Sequence, residues 1–368
     1  MRRLLAILGL VFLACGPSSA ATITSPVPSA TAQATAATTP GAIPDLPVTT
    51  VGFSCRLPVV TSTGASPAMT LQGGFITFPS ATLVEDTAGT MYSRVDQGDF
   101  ATTSTPVLAG DGVVPFYDQA RSRWVPARAR QALADGSGYA YVTRNQQTGV
   151  FTVHITNVAS GSSQSFTLTS PADPEIADYG PAGVYIDSFS ALGGPGEGVW
   201  LLDPRTGAIK DLGQIHRVWA VRDGYAWVAR LDPRDKTVWP PSELAPANSL
   251  VRIDLATGAE TIWFYKAGSY PWLLGLDSNE RPVVLLGISA EGSEIRLIDQ
   301  PGSSGVLVYS GDTSGLDYVQ GDGDRLWFGS ARGIYVYSPA GGFQKVFAYD
   351  ANPATSDRIE PSGFCAEP

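Results

Sequence analysis

VWLLDPRTGAIKDL (199–212), VRIDLATGAETIWF (251–264), IRLIDQPGSSGVLVY (295–309) and IYVYSPAGGFQKVFAY (334–349) share one grammar. An alternating apolar strand runs into a polar residue, a short turn follows, and a second strand returns. Two further segments obey it, VVPFYDQARSRWVP (113–126) and VHITNVASGSSQSFTL (153–168). Five of these six turns contain Gly, as tight hairpins require. Alternation with period two marks strands buried on one face. The polar residue opening each turn is placed to bond the backbone two residues on. With Asp118, Asn157, Asp203, Asp254, Asp299 and Ser338 as markers, the spacings are 39, 46, 51, 45 and 39.

Most markers have an earlier strand upstream: Gly138–Val142, Gly183–Ile186, Gly224–Val228 and Arg325–Phe328. A further apolar strand often precedes that, as in Val218–Val221 and Trp272–Leu276. A unit of about 40–50 residues with more than one hairpin is the repeat of a β-propeller. Four strands taken six times give an all-β propeller of six blades. Seven result if residues 48–70 and the C-terminal tail build another. A pair of β-sandwiches would also show short alternating strands, but does not require one motif at one period. Helical repeats are excluded, because no stretch after residue 48 keeps a 3.6-residue apolar period over several turns.

Residues 132–161 resemble the TolB-type, WD40-like propeller repeat. The likeness lies in Ala134–Val142 (ADGSGYAYV) followed by Val153–Asn157 (VHITN). That family typically carries Ser-Pro-Asp-Gly at the turn, and Ala134 stands here in place of the proline. The turns Asp203–Gly207 and Leu255–Gly258 resemble those of bacterial extracytoplasmic propellers. The resemblance implies a fold and no particular chemistry, because propellers host binding scaffolds and several enzyme classes.

The N-terminus reads as a leader. Arg2 and Arg3 precede an eleven-residue apolar run, Leu4–Ala14, too short to span a bilayer. Phe12-Leu13-Ala14-Cys15 resembles the lipobox of bacterial lipoproteins, which implies a signal peptide over 1–14, cleavage before Cys15 and lipid attachment at Cys15. Cleavage after Ser18-Ser19-Ala20 is the alternative, and would give a secreted protein. Of residues 16–47, 26 are Ala, Ser, Thr, Pro or Gly. Such a segment has too little apolar bulk to offset its ordering entropy, so 15–47 is expected to be a disordered tether and 48–368 the propeller domain. The expected location is outside the cytoplasm, anchored to the bacterial cell membrane.

There, Cys55 and Cys365 are expected to form a disulfide that pins the two ends of the folded region. Net charge is −10, or −12 without the leader's two arginines. This excludes a nucleic-acid partner, whose binding relies on Lys and Arg.

Few residues point to chemistry. The chain holds two histidines. His154 lies mid-strand and reads as a sheet-face residue. His216, with Arg217, precedes an inner strand, where propellers place residues around the channel mouth. An insertion at 231–248 carries Arg234, Lys236 and Trp239 among prolines and suits recognition of a protein or glycan partner. Asp322 and Asp324 are weak candidates for calcium, and no other cofactor or metal is expected. No nucleophile elbow or phosphate-cradling glycine loop occurs. The expected function is a membrane-tethered binding or scaffold propeller with an unknown ligand. The alternative is a metal- or carboxylate-dependent envelope enzyme of lactonase, lyase or glycosidase type.

Overall fold

The computed structural model describes residues 46–63, 70–93, 115–125, 127–145, 148–169, 174–188, 198–232, 234–235, 247–287, 293–313, 315–316, 318–351 and 357–367. The leader, Cys15 and the tether to residue 45 lie outside the described residues, as does 94–114. Residues 41–368 form one compact unit.

In chain order the strands are β1 (Cys55–Thr63), β2 (Thr70–Phe78), β3 (Thr82–Ser93), β4 (Phe116–Asp118), β5 (Arg123–Val125), β6 (Gly138–Arg144), β7 (Phe151–Asn157) and β8 (Ser163–Leu168). Then come β9 (Pro174–Gly180), β10 (Gly183–Ser188), β11 (Gly198–Leu202), β12 (Ile209–Asp211), β13 (Val218–Arg222), β14 (Tyr225–Arg230), β15 (Ser249–Asp254) and β16 (Glu260–Tyr265). The chain continues through β17 (Tyr270–Leu276), β18 (Pro282–Gly287), β19 (Ser293–Leu297), β20 (Val306–Gly311), β21 (Tyr318–Asp322), β22 (Arg325–Ser330), β23 (Gly333–Ser338), β24 (Gly342–Ala348) and β25 (Arg358–Pro361).

Four consecutive strands form each antiparallel meander: β9–β12, β13–β16, β17–β20 and β21–β24. β6–β8 form a fifth, whose innermost place is held by the single bridge Ala132↔Tyr139. The inner strands touch in succession: β6, which follows the Ala132 bridge, with β9, and then the first strands β9 with β13, β13 with β17, β17 with β21 and β21 with β25. Sheets ranked around a shared set of inner strands make a β-propeller.

The ends of the domain build one sheet together. β25 enters as its first strand and pairs with β1 through Val59↔Pro361, Val60↔Glu360, Thr61↔Ile359 and Ser62↔Arg358, and β2 and β3 follow. Cys55 and Cys365 are disulfide-bonded as expected, with Cα atoms 5.5 Å apart across a separation of 310 residues. Such a bond fits an oxidising, extracytoplasmic compartment. The sheet uses residues within 48–70 and the tail, which a six-hairpin reading leaves unassigned. β4 and β5 are the described part of their own repeat, and Tyr117 N donates to Ser362 O at 2.8 Å beside the end of β25.

All six expected hairpins form, as β4–β5, β7–β8, β11–β12, β15–β16, β19–β20 and β23–β24. Asp118, Asn157, Asp203 and Asp254 each accept the amide two residues on, at 2.8–3.1 Å. Two markers differ. Asp299 takes the Ser303 hydroxyl, and Ser338 accepts the amide of Gly341. The longer turn after Asp299 and the shorter Ser side chain account for both.

The core is not one mass but a series of layers between neighbouring sheets. One joins Ala140, Val153 and Ile155 to Ile176, Val184 and Leu202. The next joins Tyr185 and Val199 to Ala226, Val228 and Val251. Trp227 and Phe264 meet Val284 and Leu286, and Trp327 and Val336 meet Leu57 and Phe78. A central strand therefore buries both faces, and Ala226, Trp227, Val228 and Ala229 are all buried in succession.

Gly333 opens β23 at φ +139°, and a Cβ there would collide with the Phe347 carbonyl oxygen. Gly333→Ala should therefore cost about 2 kcal/mol through strain and displaced pairing, read as a lower urea midpoint at unchanged slope.

Candidate functional site

The strands place two kinds of connection at opposite ends. Connections from the first to the second strand and from the third to the fourth lie at one end, called the tight-turn end. Connections from the second to the third strand and from one sheet to the next lie at the other, called the long-loop end, and range from two residues between β22 and β23 to 18 between β14 and β15. The residues singled out in the sequence divide between these ends.

At the tight-turn end, turns of successive sheets are stapled to one another. Arg121 Nη1 donates to Asp135 O. Asp178, with no exposed surface, accepts from Arg222 Nη1 at 3.2 Å and from Asp223 N at 3.4 Å. Ser278 Oγ donates to Gly323 O at 2.6 Å. Asp322 accepts the Cys365 amide at 3.0 Å and the Trp327 indole at 3.3 Å. The first of the two calcium candidates thus holds the disulfide segment, while Asp324 is exposed on the same turn. Among the described residues, no group of three or more His, Cys, Asp or Glu side chains is placed to hold a metal ion.

At the long-loop end lie His216, Arg217 and Arg234. His216 is exposed, and its carbonyl accepts from Arg230 Nη1 at 2.9 Å. Arg217 sits in the left-handed region at φ +59°, which fixes how the chain enters β13. Arg234 is clamped: Nε and Nη2 bond the two Asp232 oxygens at 2.8 and 2.6 Å, and its guanidinium lies over the Tyr265 ring at 4.7 Å. Asp232 is buried, and its amide donates to Asn248 Oδ1 at 2.7 Å. Asn248 in turn donates to Asp235 at 2.7 Å. The roots of the 231–248 insertion are therefore fixed by a polar network that includes Arg234. Lys236 and Trp239 lie outside the described residues.

Three aromatic residues that the sequence did not single out as a site stand at this end. Trp219, second in β13, and Trp272, third in β17, have ring centroids 4.1 Å apart. Tyr270 lies 6.4 Å from Trp272. Trp272 is 46% exposed, unusual for a Trp on an inner strand. Burial pushes the Tyr270 hydroxyl up, against the opposing pull of the Arg217 cation. Aromatic residues at the openings of two successive inner strands were the signal available in the sequence.

His154 lies on a polar sheet face, as expected. Its ring nitrogens meet Thr143 Oγ1 at 2.8 Å and Ser165 Oγ at 3.0 Å, and it stacks on Tyr141 at 4.8 Å. Burial holds its imidazole below the ordinary value.

Two carboxyls are displaced far upward. Burial pushes Asp187 up to about 7, against the pull of Arg130. A hydrogen bond with Asp223, together with burial, pushes Glu280 up to about 7. Both groups keep protons in the folded chain that they lose on unfolding between about pH 4 and 7, so folding stability falls as pH rises through that window. Asp135, Asp203, Asp254 and Asp299 are held low by hydrogen bonds, and their contribution fades as pH falls through their depressed values. The urea midpoint should therefore be higher at pH 5 than at pH 8. A midpoint that rises steadily from 5 to 8 would contradict this assignment.

No protein-family model matches the chain, and no curated protein sequence does. Among solved structures it is similar to TolB from Acinetobacter baumannii, at 15% identity and a TM-score of 0.43 over 84% of this chain and 65% of that one. It is also similar to the β-propeller domain of the Trilobed protease from Pyrococcus furiosus, at 11% identity and a TM-score of 0.40 over 79% of this chain and 81% of that one. A protein from Lactobacillus plantarum matches at 14% identity and a TM-score of 0.37, over 81% and 82% of the two chains. The chain thus spans just under two thirds of TolB. The propeller assignment rests on strand order and the sequence of inner-strand contacts.

No helix among the described residues is long and apolar enough to cross a membrane.

Proposed function

We propose that this chain is a binding propeller of the cell envelope, anchored through lipid on Cys15 and the 15–47 tether, and that it engages a protein or glycan partner at the long-loop end. The observation that supports this most is the Trp219–Trp272 pair on adjoining inner strands, with Trp272 46% exposed. Aromatic side chains on rigid strands offer large contact area at low entropic cost, and such residues dominate binding energy where they are central to a patch. Arg217 and the anchored root of the 231–248 loop add polar recognition beside them. The carboxylate-enzyme alternative draws on Asp223 and Glu280, but these bond each other at the end stapled by Asp178 and Arg222.

Two experiments test the reading. The full chain, used as bait against solubilised envelope and against a glycan array, should capture a partner. Trp272→Ala should weaken that capture at least about tenfold, the scale of a central aromatic contact. Asp324→Ala, at the opposite end, should leave it intact. Capture that ignores Trp272 but fails in Asp324→Ala would put the partner at the wrong end. Separately, Cys15→Ser should move the protein from the membrane fraction to the soluble one. Unchanged fractionation would remove the lipid anchor.

A further inference from the structure

The tail that follows β25 borders an open cleft of about 600 Å³, lined by Phe53, Ser54, Cys55, Arg325, Cys365 and Glu367. Both cysteines of the disulfide therefore belong to its wall. They differ in exposure. Cys55, first in β1, is buried in the apolar layer that holds Leu57, Ile76 and Trp327. Cys365 packs against that layer but is partly exposed.

Arg325 opens β22 on the same wall. Its guanidinium lies over the Phe53 ring at 4.1 Å. Phe53 is itself set edge-on to Phe78 and Trp327, with centroids 5.8 and 5.9 Å away. Among the described residues no carboxylate pairs with Arg325. Stacking thus fixes a cation in the cleft wall and leaves its N–H groups available to an anion. A nearby cation favours a thiolate over a thiol. Glu367, exposed on the tail, acts in the opposite sense.

The tail is also held without the sulfur bond. The Cys365 amide donates to Asp322 at 3.0 Å, and Arg56 and Ala366 donate to each other's carbonyls at 2.7 and 3.3 Å. Opening the disulfide would leave these three hydrogen bonds to keep the two cysteines together, ready to close again.

We propose that the Cys55–Cys365 bond is a site of thiol–disulfide exchange in the folded chain, with a protein dithiol as the reductant. The partner's thiolate attacks the Cys365 sulfur, on the more exposed cysteine, because access selects which sulfur is attacked. A bond from the partner to Cys365 forms as the Cys55–Cys365 bond breaks, and the electron pair leaves on Cys55 as a thiolate. Arg325 stabilises charge on both the attacking and the leaving sulfur. The partner's second thiol loses its proton to solvent and attacks the partner sulfur of the mixed disulfide, which releases Cys365 as a thiolate. The chain has then gained two electrons, and two protons once both thiolates are protonated, and the partner is left as a disulfide. The site uses neither Trp219 nor Trp272, so it stands or falls independently of the aromatic surface.

The test is reduction of the full chain, with any free thiol capped beforehand and new thiols trapped by an alkylating agent and counted by mass. Dithiothreitol and reduced thioredoxin are the reductants. Each should expose both thiols without denaturant, at a rate that stays flat in urea below the unfolding transition. A route through the unfolded chain would instead climb steeply with urea. Arg325→Gln should slow the reaction about threefold and Glu367→Gln should speed it by about as much, the scale of one charge several ångströms away in water. Arg325→Lys should stay close to the wild type, and both differences should shrink in about 1 M salt. Glu367 is exposed, so its variant keeps the test standing even where Arg325→Gln loosens the Phe53 stack. The proposal is overturned if reduction needs urea or climbs with it from zero. It is equally overturned if dithiothreitol acts and thioredoxin does not, because the cleft then excludes a protein thiol. Equal rates for the wild type, Arg325→Gln and Glu367→Gln would remove the cleft as the route.

Discussion

Replacing Cys55 and Cys365 with Ser, or reducing the bond between them, should lower the unfolding free energy by about 5 kcal/mol, the upper end of the range for a single disulfide. The reason is separation. The bond closes a loop of 310 residues, and the entropy it removes from the unfolded chain grows with the logarithm of loop length. In the folded state the bond guards the junction on which the ring depends. β25 has only four residues, and its pairing with β1 is the seam between the two ends of the domain. Asp322 reinforces that seam by accepting the Cys365 amide, so loss of the bond also loosens the tail that Asp322 holds. Urea melts with and without reductant measure the effect directly. Coincident curves would mean that the β1–β25 pairing closes the ring without covalent help.

Asp178→Ala should cost about 3–5 kcal/mol, the scale for breaking a buried charge pair by removing one partner. The Asp178 side chain has no exposed surface and serves two donors from the next sheet, Arg222 Nη1 and the Asp223 amide. Burial raises its carboxyl, and the Arg222 cation opposes that rise. Truncation leaves the Asp223 amide without its acceptor at the turn where Asp223 also meets Glu280. Asp178→Asn retains an acceptor and should lose clearly less. Arg222 is 37% exposed and can turn to water, so Arg222→Met should also cost less than Asp178→Ala. An Ala variant within about 1 kcal/mol of the wild type would show that the turn-to-turn staples are ornaments of a ring held by its apolar layers.

Much of the architecture was legible because hairpins are local. The turn at Asp203–Gly207 needs only its own residues, and the Asp203 side chain closes it on the amide of Arg205. The same holds at Asn157 and Asp254, so the repeat and its period could be read directly. Burial was less legible. Alternation suggested one buried face per strand, yet Ala226–Ala229 is buried throughout, because each blade is enclosed by two neighbours. A single strand cannot announce how many sheets will cover it.

The candidate site was legible only in part. His216 and Arg217 were placed at the channel mouth from their position before β13, and they stand at the long-loop end. Arg234 was chosen as an exposed cation and is exposed, but Asp232, two residues earlier, takes the Nε–Nη2 edge of its guanidinium. Asp322 was chosen as a cation ligand, but a residue 43 positions away, Cys365, uses its carboxylate.

The sequence by itself determined the hairpins, their period and the pairing of two cysteines at the domain's ends, because turn chemistry and alternation act within a few residues. Tertiary structure alone decided which side chains meet. Trp219 finds Trp272 and Asp178 finds Arg222 only once successive sheets are ranked around shared inner strands. Contacts between residues tens of positions apart depend on how whole sheets are positioned, and no local propensity encodes that.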